Sequence, residues 1–226
     1  MFIFGTGSIS EIAYYYFKNE SKYTVSGFVD FKKFIKDKKK FKLPVIEFEK
    51  VQKFFPRKDF EAFVAVGYKE INQYRTQIYN ILKKKKYKLA SFISVNSNIA
   101  SNVTFGDNCF ILENQTIQPY TKIGNNVTLW CGNIIGHHCK IEDNCFITSN
   151  VVISGNCKIG NSCFIGIKSA IKDGIKIGRN SVLFMNSTIG KDMKKFSTSV
   201  SNLSQIFEIN NKNIISIRKK YFFTKK

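Results

Sequence analysis

From Ser97 onward the chain repeats every six residues. In register it runs SNIASN VTFGDN CFILEN QTIQPY TKIGNN VTLWCG NIIGHH CKIEDN and on to STIGKD, with one large apolar residue in the third place of each hexad. That place holds Ile99, Phe105, Ile111, Ile117, Ile123, Leu129, Ile135, Ile141, Ile147, Ile153, Ile159, Ile165, Ile171, Ile177, Leu183 and Ile189. A helical period of about 3.6 drifts out of such a register, whereas a fixed repeat of six suits short strands that each form one side of a coil. Three sides to a turn predict a parallel β-helix of about five stacked coils. Glycine follows the apolar residue at Gly106, Gly124, Gly136, Gly160, Gly166, Gly178 and Gly190, which predicts corners with positive φ. The place four beyond the apolar residue is mostly small, and five of the six cysteines fall there: Cys109, Cys139, Cys145, Cys157 and Cys163. Such thiols are expected inside the coil as small hydrophobes. Cys131 stands outside this register.

Residues 1–92 follow a different rule. FIFGTGSIS reads as a strand, a glycine-bearing turn and a helix from Glu11 to Phe17; TVSGFVD reads as a strand ending in Asp30. A basic loop follows, then a short helix near Phe48 to Phe55, a strand over Glu61 to Gly67, a helix from Ile71 to Lys84 and a strand over Lys88 to Ile93. Alternating β and α elements predict a small, parallel, Rossmann-like sheet flanked by helices. The turn is a dinucleotide fingerprint with Ser10 in place of its third glycine. Gly5, Gly7 and Ser8 at the turn, Asp30 at the end of the second strand and Gly67 after the third are therefore candidates for a diphosphate and ribose site, with a tight βα turn as the structural alternative. The expected organisation is an α/β domain over 1–92, a β-helix over 93–193 and a C-terminal cap with a basic tail over 194–226.

Charge changes this picture little. A formal net charge of +20 raises a nucleic-acid role. The cations are spread over FIKDKKKFKLP, ILKKKKYK and RKKYFFTKK with no nucleic-acid-binding motif around them, so the expectation is solvated surface and a general attraction for small anions. No run reaches about 20 apolar residues and no secretory signal is visible, which predicts a cytoplasmic protein without stable membrane insertion. No C-x-x-C pair occurs, and two adjacent histidines make a poor ligand set, so neither a metal nor a trimeric zinc hydratase is expected.

The two histidines of the chain, His137 and His138, share one hexad. Together with FGTGS, FVD at Asp30, VAVGYKEINQYR, IIGHHCKIEDN and the VVISGN to IGNSCFIGIKSAI run, they make the chain to about Lys191 resemble the hexapeptide-repeat sugar acyltransferases, in the branch of sialic-acid O-acetyltransferases and UDP-4-amino-sugar N-acetyltransferases. The resemblance implies a left-handed β-helix, a homotrimer, acetyl-CoA between neighbouring coils and a nucleotide-linked sugar on the N-terminal domain. It implies that His137 of the His-x-Cys motif is the general base, and that Gly155, Gly166 and Ile167 meet the CoA and its carbonyl. A neutral imidazole near pH 7 suits proton removal from an attacking amine or hydroxyl. His138 stands where some relatives carry an acid that orients the base, which leaves Glu142 or Asp143 as stand-ins, in the same chain or across a subunit boundary. The family's closing segment, similar to G-N-P-A-K, is replaced by FSTSVSNLSQIF, with Ile206, Phe207, Ile209, Ile214, Ile215 and Ile217 as cap candidates. An amine acceptor leads, a hydroxyl acceptor follows, and a non-enzymatic scaffold is the alternative of another class.

Overall fold

The computed structural model describes residues 1–201. The cap candidates from Ile206 to Ile217 lie outside them.

The N-terminal domain is a five-stranded sheet in the order β3-β4-β2-β1-β5, made of β1 (Phe2–Phe4), β2 (Gly27–Asp30), β3 (Lys39–Lys40), β4 (Leu43–Glu47) and β5 (Ala62–Val64). All pairs are parallel except the β3–β4 hairpin. The longer helices are α1 (Ser8–Glu20) and α3 (Gln73–Lys84), with a short α2 (Val51–Phe54) between them. The chain leaves β1 for β2 on one side and later returns to β5 on the other. The crevice at the C-terminal end of β1 is therefore a topological switch point, where open α/β sheets bind ligands.

The strand expected over Lys88 to Ile93 divides in two. Leu89 bridges Ala62 in the first domain, whereas Phe92–Ile93 pairs with Phe110–Ile111 of the coil. From there the chain forms the left-handed parallel β-helix, whose two-residue strands pair with their counterparts 18 residues on, as Lys122 does with Lys140. Each face presents one outward column. The first carries Phe92, Phe110, Thr128, Phe146, Phe164 and Val182. The second carries Asn98, Thr116, Ile134, Val152, Ala170 and Thr188. The third carries Thr104, Lys122, Lys140, Lys158 and Lys176. The coil runs past the last hexad, since Thr198–Ser199 pairs with Val182–Leu183.

The apolar third places fill the interior with Cys109, Cys139, Cys145, Cys157 and Cys163, all buried and unbonded to one another. The corner glycines need a different explanation from the expected one. Positive φ falls on Asn108, Asn126, His138, Asn144 and other residues at the last place of the hexad, not on the glycines that follow the apolar residue. Glycine is needed there because coils approach closely. A Cβ on Gly136 would stand 2.5 Å from the backbone N of Gly155, and one on Gly166 2.6 Å from that of Met185.

The aromatic face is where the first domain docks. Phe63 meets Phe110 at 5.3 Å between ring centroids, and Tyr68 meets Phe146 and Phe164 at 5.1 and 4.8 Å. Arg75 of α3 is buried against the corner between the lysine and aromatic faces. Its guanidinium donates to the carbonyls of Asn126, Asn144 (2.9 Å) and Cys145 (3.2 Å), and Asn72 donates to Cys163 O one coil on.

Candidate active site

The fingerprint turn has the geometry its sequence suggests. Gly5 has φ 119° and lies so close to Ala65 that a Cβ would meet its carbonyl oxygen at 2.7 Å. Gly7 caps α1, which begins at Ser8 rather than at the expected Glu11. Ser10, the missing glycine, is buried with its hydroxyl folded onto Gly7 O. In the first turn of α1 the Ser10 and Glu11 N–H groups donate to Gly7 O, while those of Ser8 and Ile9 have no acceptor among the described residues, the kind of free donor that helix N-termini offer a phosphate.

Gly5, Gly7, Ser8, Asp30 and Gly67 all line one cavity of about 1120 Å³. Asp30 is already engaged in part. Its carboxylate accepts from the Thr6 hydroxyl (2.8 Å) and the Phe31 N–H (2.9 Å), and burial pushes its pKa up. Sequence reasoning missed three features of the wall. Lys33, Lys36, Lys39, Lys40 and Lys69 border the cavity, so part of the basic loop after Asp30 faces a site rather than open solvent alone. Tyr74 reaches it from α3, and its hydroxyl is buried without a hydrogen-bond partner among the described residues, which a bound polar ligand would supply. Tyr68 joins this wall to the coil. Cationic walls, free helix N–H groups and an orphan hydroxyl suit a nucleoside diphosphate group.

The histidines lie elsewhere, at the corner between the aliphatic and lysine faces, and both are exposed. His137 sits directly over Gly155 of the next coil. A Cβ there would stand 2.8 Å from both Cε1 and Nε2 of the ring and 2.9 Å from Oδ1 of Asp173, one coil further. The His137 N–H donates to Gln118 Oε1 at 3.0 Å, and its Nδ1 is 3.1 Å from Nδ1 of His138. The Gly155 N–H has no acceptor among the described residues, which leaves a backbone donor beside the imidazole.

Glu142 and Asp143 do not orient His137 within the chain. Glu142 pairs with Lys140 and accepts from Asn161, while Asp143 accepts from the Asn125 N–H. Among the described residues no carboxylate forms an ion pair with either imidazole. Gly166 and Ile167 lie at another corner, between the aromatic and aliphatic faces. One chain therefore brings His137, His138 and Gly155 together, and holds Gly166, Ile167 and the cavity apart from them. No cluster of three or more metal-ligating side chains occurs among the described residues, and none of their helices is long and apolar enough to cross a membrane.

Comparison with known proteins matches residues 120–155 to the bacterial transferase hexapeptide (six repeats) and residues 157–191 to the hexapeptide repeat of succinyl-transferase. No curated protein matches the sequence. Among solved structures, PerB from Caulobacter crescentus, in complex with CoA and GDP-perosamine, is 17% identical with a TM-score of 0.79, over 92% of this chain and 96% of that one. The acetyltransferase domain of PglB from Neisseria gonorrhoeae, in complex with acetyl coenzyme A, is 18% identical with a TM-score of 0.78, over 91% and 98%. WeeI from Acinetobacter baumannii is 17% identical with a TM-score of 0.68, over 91% and 98%. Residues 120–155 and 157–191 thus carry transferase-type hexapeptide repeats, and the chain as a whole shares its fold with these acetyltransferases.

Proposed function

We propose that the protein is a cytoplasmic, homotrimeric N-acetyltransferase that moves the acetyl group of acetyl-CoA to an amine of a nucleotide-linked sugar, in the building of a bacterial surface glycan or glycoprotein. Residues 1–92 hold the nucleotide-sugar, residues 93–193 carry out acyl transfer, and His137 is the base. The observation that carries this reading is the imidazole of His137 packed on bare Gly155 at an open corner of the coil. The fold is shared with proteins solved with CoA and GDP-perosamine or with acetyl coenzyme A, which supports the same pair of substrates here.

The chemistry follows from the corner. The sugar amine attacks the thioester carbonyl carbon while Nε2 of His137 takes its proton, and the N–H of Gly155 is placed to donate to the developing oxyanion. Collapse of the tetrahedral intermediate breaks the C–S bond. The proton held on His137 passes to the departing thiolate, leaving an amide, free CoA and a neutral base.

Trimer formation is inferred from the faces. The aromatic face is covered by the first domain and the third carries four stacked lysines, so the second, with half-exposed Ile134 and Val152, is the one suited to pack on other copies. Packing that face around a threefold axis sets the His137 corner of one coil beside the Gly166–Ile167 corner of its neighbour. Ile134→Asp with Val152→Asp is expected to give a folded monomer by analytical ultracentrifugation, with transfer lost; an unchanged trimer would remove this face from the interface.

Gly155→Ala is a sharper test of the base. No positive φ stands in the way, yet the new Cβ would push the His137 ring aside. A displacement of about 1 Å costs up to about 100-fold in rate, so kcat is expected to fall by at least about tenfold with little change in Tm. A normal kcat would detach His137 from the reaction. The two-part reading is tested by calorimetry: acetyl-CoA and a nucleoside diphosphate are expected to bind together without competing, and failure of either to bind would contradict it.

A further inference from the structure

We infer that His138 is the positioning residue for His137, acting as a neutral imidazole acceptor where a carboxylate would otherwise stand. This rests on the reading of His137 as the base. The two Nδ1 atoms lie 3.1 Å apart, with the rings nearly perpendicular at 84°. Two ring nitrogens at that distance share one hydrogen, so one ring carries N–H at Nδ1 and the other a lone pair. With the hydrogen on His137, its Nε2 keeps the lone pair a base requires, and His138 turns its own Nε2–H to water.

The placement of His138 is built rather than incidental. It occupies a left-handed corner position with φ 56°, a place held by asparagine at Asn108, Asn126, Asn144, Asn150 and Asn156. Its N–H donates to Pro119 O at 3.1 Å, and its ring stacks on Tyr120 of the preceding coil at 4.7 Å and 27°. The groups facing the pair are Tyr120 on His138, and Gln118, Gly155 and Asp173 on His137. Asp173 makes no ion pair with His137, so it does not replace His138 as the partner.

The proton account closes. His137 gains the amine's proton at Nε2, and its Nδ1 proton is then free to move to Nδ1 of His138, which spreads the positive charge over both rings. The charge returns when Nε2–H of His137 protonates the thiolate. Unlike a carboxylate, a neutral imidazole brings no negative charge to the pair, so His138 orients the base by a hydrogen bond alone.

With only two histidines in the chain, protein labelled with ¹⁵N-histidine shows two rings alone. The full chain is expected to show His137 as the Nδ1–H tautomer and His138 as the Nε2–H tautomer, assigned with His138→Asn. Two Nε2–H tautomers would overturn the inference. Kinetics supply a second arm, because Oδ1 of Asp or Asn is as many bonds from the backbone as Nδ1 of His. His138→Ala is expected to lose at least about tenfold in kcat, less than loss of the base itself, with both KM values little changed. His138→Asn and His138→Asp should restore most of it, and Asp should raise the acidic limb of the pH profile. A drop in Tm with unchanged kcat and identical pH profiles across the variants would make His138 a corner residue only. If the wild type transfers no acetyl group to any sugar, the proposed function fails, while the tautomers still decide the hydrogen bond.

Discussion

Replacing His137 by alanine is expected to lower kcat/KM at least about 100-fold, the usual scale for a lost general base, or about 2.7 kcal/mol of transition-state stabilisation. The side chain is exposed at a corner and belongs to no apolar cluster, so Tm should stay close to that of the wild type. The loss should fall on kcat, because in the proposed mechanism the imidazole acts on a proton that moves only as the amine attacks, and both KM values should change little. Full activity in this variant would leave the amine to lose its proton to water and would remove the reason for His137 to lie over Gly155.

Arg75→Met is expected to destabilise the protein by about 3 kcal/mol or more, because it strips donors from three carbonyls, two of them in buried contacts, at the corner where the two domains meet. For a chain of this size that corresponds to a fall in Tm of about 6 to 12 °C. Burial pulls the guanidinium pKa down to about 10, yet at neutral pH it remains charged, held by backbone dipoles and by the face of Phe146 at 5.7 Å. Tyr68, Lys69, Glu70 and Tyr74 lie on the same segment and line the cavity. A looser docking should therefore also weaken nucleotide binding. A Tm within about 1 °C of the wild type would mean that the aromatic contacts and the remaining polar links, such as Asn72 to Cys163 O and Tyr79 to Asp107, suffice to hold the domain in place.

The coil was legible because every hexad turns one large apolar residue inward, and a period of six admits few other structures. The reason for its glycines was not. Positive φ and close approach both call for glycine, and only the spacing of stacked backbones separates them, as at Gly136 and Gly166. The glycine-bearing turn at Gly5 and Gly7 was readable from local order, strand then turn then helix, whereas the lysines lining the cavity were hidden in a run of charges that composition alone assigns to solvent. Arg75 and Asn72 were beyond reach, since their acceptors lie 51 to 91 residues away. The separation of His137 from Gly166 was available in principle. Residues 18 apart share a corner, so 137 falls with 155 and 173, and 166 does not.

The measurement that bears most directly on the central claim is product mass. The wild-type protein, acetyl-CoA and a panel of nucleotide-linked amino sugars with their hydroxyl analogues would be followed for free thiol and for mass. The expected result is stoichiometric release of CoA with one acetyl group gained by an amino sugar and none by its hydroxyl analogue. Acetylation of the hydroxyl analogue instead would make the protein an O-acetyltransferase. No thiol release with any sugar, together with no binding of acetyl-CoA, would contradict the enzymatic account and leave the coil as a scaffold.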